Sequence, residues 1–119
     1  MGATLFISGH AAEGRTKIDL YNWDADEPVI VTSVQLALID KGKSETFTPE
    51  REISVQSDRE EHIDITDSLK ALVGGDGQHN VQVTVTCNPD YALSSKKRVF
   101  IAAVHHDKFL YFGFDHFSN

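Results

Sequence analysis

The sequence predicts an all-β domain, two antiparallel sheets packed face to face with one short helical crossover. Three observations carry this reading. Apolar residues recur at every second position along most of the 119-residue chain, which is the period of a strand buried on one face. The segments between these runs are short and hold Gly, Asp, Asn and Pro, the residues that build turns. Helical spacing of apolar residues occurs in one stretch only, Thr66–Val73.

Taken in order, residues 4–8 form a short apolar strand. In 16–22, Ile18 and Leu20 face one way and Lys17, Asp19 and Tyr21 the other. Asp24-Ala25-Asp26-Glu27-Pro28 is an acidic turn whose proline leads into the next strand. Residues 29–40 place Val34, Leu36 and Leu38 on one face and Gln35 and Ala37 on the other. Asp40-Lys41-Gly42-Lys43 turns the chain into strands at 43–47, 53–56 and 61–65. The helix begins on an acidic or hydroxyl cap, shows Leu69, Leu72 and Val73 as its stripe, and stops at Gly74. The clearest alternation is 80–87, with Val81, Val83, Val85 and Cys87 inward. Residues 88–97 are the longest polar stretch and read as a loop. Strands at 98–104 and 109–114 follow, joined by His105-His106-Asp107-Lys108 at hairpin spacing. The economical arrangement is an immunoglobulin-like two-sheet β-sandwich of about eight strands, a single domain over residues 1–119. Trp23, at a strand end beside a turn, reads as a cap on the core.

Charge and composition exclude several function classes. Eighteen acidic against eleven basic residues give a net charge of −7, the wrong sign for a protein that binds nucleic acid by neutralising phosphates. No apolar run approaches the roughly 20 residues of a membrane-spanning helix, so no membrane insertion is expected. Cys87 is the only cysteine, so no internal disulfide forms, and a reducing, cytoplasmic compartment is expected. Met1-Gly2-Ala3-Thr4-Leu5-Phe6 has neither the basic nor the apolar region of a signal peptide, an export signal already removed being the alternative. The first sixty residues hold eleven acids and six bases, and Lys96-Lys97-Arg98 is a basic run at the border of the late loop. That asymmetry suits a charge-complementary contact.

Two stretches resemble a known pattern. Asn22-Trp23-Asp24-Ala25-Asp26-Glu27-Pro28-Val29-Ile30-Val31-Thr32 resembles the opening of bacterial Ig-like modules, an asparagine and an acidic turn before V-x-V-T. Val55, followed after six residues by His62-Ile63-Asp64-Ile65 and then Asp67, resembles their paired middle strands. The succession over residues 16–104 is similar to the sensory rhodopsin transducer family, a cytoplasmic β-sandwich of about this length that associates into oligomers. Residues 109–117 and 88–97 depart from that pattern. The resemblance implies a non-enzymatic binding module or signalling adaptor and transfers no functional residue.

Chemistry-bearing residues are few. Of the six histidines, His105 and His106 are the tight cluster and, with Asp107, the candidate metal ligands, although neighbours on a strand point to opposite faces. Asp24, Asp26 and Glu27 lack the spaced loop of a calcium site. Gly74-Gly75-Asp76-Gly77 follows a helix and has no phosphate-cradling lysine. Cys87 sits on the apolar face, where a thiol is inert, and there is no nucleophile elbow. No catalytic residue and no cofactor are expected, and the chain does not read as an enzyme. Aromatics crowd the C-terminus, with Phe109 and Tyr111 on one face of the last strand and Phe112 and Phe114 on the other. With Phe117 they form a candidate surface for a protein partner or a second copy of the chain. Trp23, Tyr21 and Tyr91 are the candidates for stacking a small ligand or carbohydrate.

Overall fold

The computed structural model describes residues 4–23, 28–39, 41–48, 52–88 and 95–114. Among the described residues, nine strands and one helix follow in the order β1 (Thr4–Ala12), β2 (Arg15–Trp23), β3 (Val29–Leu38), β4 (Lys43–Phe47), β5 (Ile53–Val55), β6 (Glu60–Asp64), α1 (Thr66–Val73), β7 (Gly77–Asn88), β8 (Ser95–His105) and β9 (Lys108–Phe114). They form two antiparallel sheets. One is three-stranded, β1-β2-β6; the other runs β4-β3-β7-β8-β9, with β5 also paired to β3. The all-β sandwich expected from the alternation is the observed fold. None of the described helices is long and apolar enough to cross a membrane.

Alternating residues fill the space between the sheets as their spacing dictates. Ile18 and Leu20 on β2, Val34 and Leu36 on β3, and Val81, Val83 and Val85 on β7 are all fully buried. Burial of such aliphatic side chains contributes about 1.5–3 kcal/mol each. Helix α1 adds Leu69, Leu72 and Val73 to the core and ends at Gly74, whose φ of 67° is the left-handed conformation that glycine adopts without a Cβ clash. Its start differs from expectation. The cap residue is Ile65, with no capping side chain of its own, and Asp64 one position earlier accepts the Thr66 N–H at 3.0 Å. Thr66 itself is buried, and its Oγ1 accepts the backbone N–H of Thr16 at 2.9 Å, tying the helix to β2.

Asp64 also takes two bonds from Arg15, Nε at 2.7 Å and Nη2 at 3.1 Å. Arg15, followed by the Thr66 N–H, holds the Asp64 carboxyl well below its ordinary value of 3.8, at about 2. A carboxylate whose folded pKa is depressed stabilises the fold above its unfolded pKa, and that contribution is lost as pH falls through the folded pKa. Wild type is therefore expected to exceed Asp64→Asn in stability by about 1 kcal/mol or less at neutral pH, the pair being part-exposed and screened. The difference should vanish between about pH 4 and about pH 2, as measured by urea unfolding of both chains across that range.

Two tight turns set the registers that matter most. Glu13 and Gly14, with φ of 56° and 78°, join β1 to β2 so that Ala12 pairs Arg15. His106 and Asp107, with φ of 50° and 62°, join β8 to β9 with His105 opposite Lys108. Both positions of each turn have positive φ, the signature of the two-residue hairpin loop that matches strand twist. The strands also run longer than the alternation suggests. β1 continues through His10 to Ala12, and β8 starts at Ser95, so Lys96-Lys97-Arg98 lies in the first residues of a strand.

Strict alternation along the last strand does not hold. The β8–β9 ladder shifts register between Ala103 and Val104, and the extra residue turns both Phe109 and Phe112 inward. They are 2% and 1% exposed, so these two proposed partner contacts are core residues. Phe112 stacks on Phe100 with ring centroids 4.9 Å apart.

Candidate functional site

The inward residues of the small sheet decide what lies on its outside. Because Ile18 and Leu20 point into the core, Lys17, Asp19, Tyr21 and Trp23 lie on the solvent face of β2. The register places Phe6 of β1 opposite Tyr21, Ser8 opposite Asp19 and His10 opposite Lys17. On the other side, His62 of β6 stands opposite Asp19, and Asp64 opposite Lys17. Two groups of side chains result.

The first is aromatic. Trp23 is 54% exposed and Phe6 48%. Their rings meet edge to face with centroids 6.0 Å apart, and the Tyr21 ring lies 6.2 Å from that of Trp23. Tyr21 donates its hydroxyl to Asp58, an anion that raises the phenol pKa. Trp23 therefore does not cap the core; it stands on the outer face of β2. Tyr21 lies on the same face. Tyr91 and Phe117 lie outside the described residues, as do the acids of the 24–27 turn.

The second group is ionisable. Asp19 faces outward yet is only 8% exposed, because imidazoles flank it on both sides. His10 Nδ1 lies 2.7 Å from its Oδ2 and His62 Nδ1 lies 2.5 Å from its Oδ1. The two imidazole rings meet at 89° with centroids 5.9 Å apart. A carboxylate removed from water is costly without partners, and here each oxygen has one. Sequence reasoning missed this cluster. The signal was the Glu13-Gly14 turn, which fixes His10 diagonally across from Asp19 two strands from His62.

The other expected sites are placed as follows. His105 and His106 have rings 3.9 Å apart at the β8–β9 turn. The backbone N–H groups of His106 and Asp107 donate to Asp76, and these bonds hold the Asp76 carboxyl below its ordinary value. Among the described residues, the set of three donors that converges is His10, Asp19 and His62, and it does not include this pair. On β9, Leu110, Tyr111 and Phe114 remain exposed. A hollow of about 370 Å³ opens between the end of α1 and this hairpin, lined by Lys70, Val73, Val104, Asp107 and Phe109.

Fold and face together define a β-sandwich with one sheet surface dressed in aromatic and imidazole side chains. No protein-family model, curated protein or solved structure matches the chain.

Proposed function

We propose that this chain is a small non-catalytic recognition module, a binding or signalling adaptor, that holds a protein partner on the outer face of β1-β2-β6. The observation that carries the reading is the cluster of exposed Phe6 and Trp23 with half-buried Tyr21. Large aromatics gathered on one rigid strand surface are what protein interfaces use as anchors, and the face is rimmed by Lys17, Glu60 and Asp64 in register. An immunoglobulin-like arrangement agrees with the strand order, in which the first, second and sixth strands share one sheet and the third, seventh and eighth the other. The helix lies in the crossover between them. A cytoplasmic setting suits a chain whose single thiol, Cys87, is buried.

Paired capture from host lysate tests the proposal. Proteins retained by the wild-type chain are expected to fall about tenfold or more with Phe6→Ala/Trp23→Ala, as removal of two anchors at a binding centre does. Equal retention by both chains would reject it. A second reading, self-association through β9, draws on exposed Leu110, Tyr111 and Phe114. It expects a dimer by light scattering that Leu110→Ser/Tyr111→Ser converts to monomer, with Phe6→Ala/Trp23→Ala leaving it intact.

A further inference from the structure

We propose that His10, Asp19 and His62 bind a divalent transition-metal ion of the zinc class. One donor atom from each residue can be chosen so that no two lie more than 4.8 Å apart. A tetrahedral ion about 2.0–2.1 Å from each ligand holds its donors about 3.3 Å from one another. The carboxylate oxygens already lie 2.7 and 2.5 Å from the two Nδ1 atoms. An ion held by one of these oxygens opens that oxygen's own imidazole contact by less than about 1 Å and draws the second imidazole in from within 4.8 Å. Both rings are half-exposed and free to make that adjustment, whereas Asp19 is fixed on the central strand with a side chain 10% exposed.

Three further features fit a cation. The donors stand on three hydrogen-bonded strands, so the sheet sets their spacing before any ion arrives. Of the basic residues on this face, Arg15 is taken up by its ion pair with Asp64. The donor set, two imidazoles and one carboxylate, suits zinc and its neighbours. It is too poor in oxygen for Ca²⁺ or Mg²⁺, which take about six or more oxygen ligands. All three side chains lie on the solvent side of the sheet, so water or an external donor completes the coordination. The aromatic cluster begins at the next outward residue along β2.

Calorimetric titration of the full chain with zinc chloride near neutral pH provides the test. One ion per chain is expected, with no comparable heat from calcium chloride. His10→Ala, His62→Ala and Asp19→Asn should each weaken binding about 10-fold or more, at least the loss seen when a supporting group of a metal site is removed. His105→Ala/His106→Ala should bind as wild type does. The two single histidine variants change exposed side chains, so circular dichroism is expected to show an unaltered fold, and they decide the matter if Asp19→Asn misfolds. Imidazole ¹⁵N resonances of His10 and His62 should move on zinc addition while those of His79, His105 and His106 stay in place. The proposal is overturned by an absence of saturable binding, by loss of binding in His105→Ala/His106→Ala alone, or by calcium binding with the same residue dependence.

Discussion

Gly9→Ala is expected to destabilise the domain by about 3 kcal/mol, the upper part of the range for overpacking a filled core. Gly9 lies on β1 where the small sheet crosses the aromatic pair of the large one. A Cβ there would stand 2.7 Å from Cδ2 and Cε2 of Phe112 and 2.8 Å from Cε2 of Phe100. Carbon atoms rest about 3.5–4.0 Å apart. The obstructing atoms are ring carbons of two stacked, buried side chains, so they have no free end to swing aside. The strand must lift instead, which strains the ladder with β2 through the Gly9–Ile18 pair. Urea unfolding should show a lower midpoint with an unchanged slope. Adding Phe112→Leu to Gly9→Ala should return part of the loss, because the two sites share one space and their effects are coupled. A Gly9→Ala midpoint equal to wild type would mean the sheets are not in this contact.

Phe112→Ala has the second large effect, a loss of about 3–5 kcal/mol. The ring is 1% exposed and stacked on Phe100, so truncation leaves a cavity lined by groups that cannot all collapse into it. Small domains have about 5–15 kcal/mol of total stability, and this single change consumes a large part of it. Tyr111→Ala, one residue away and 38% exposed, is expected to cost under about 1 kcal/mol, as changes outside the core do. The comparison separates two accounts of the last strand. Were Phe112 a contact for a partner, its variant would unfold at the wild-type urea midpoint and fail only in association.

Most of the architecture was legible because its cause is local. Val81, Val83, Val85 and Cys87 are buried on alternate positions, and Leu69, Leu72 and Val73 cover one side of α1, as their spacing requires. What was illegible came from neighbours in space. The inward position in the middle of β1 is Gly9, because the Phe100 and Phe112 rings already fill the volume its side chain would take. With no apolar residue to mark that position, the strand reads as ending at Ser8. His10 is then left without a register, and the cluster around Asp19 stays hidden. The last strand misleads for a different reason. The register shift between Ala103 and Val104 inverts the parity of the residues beyond it, so Phe109 and Phe112, three positions apart, share the inner face. Tyr21 and Trp23 could be paired from the sequence because they lie on one strand at a spacing of two, whereas Phe6 joins them only through the β1–β2 ladder.

The split border of the large sheet bears on how copies of this chain tolerate one another. β3 carries β5 over its first residues and β4 over its last, on the same side. β5 is three residues long, and β4 is five residues with Lys43, Ser44, Glu45 and Thr46 all exposed. Short, charged border strands are poor templates for backbone pairing between molecules, the route by which β proteins aggregate. The chain can therefore keep Phe6 and Trp23 in water with less risk of amyloid-like stacking along this border, leaving side-chain chemistry to govern its encounters.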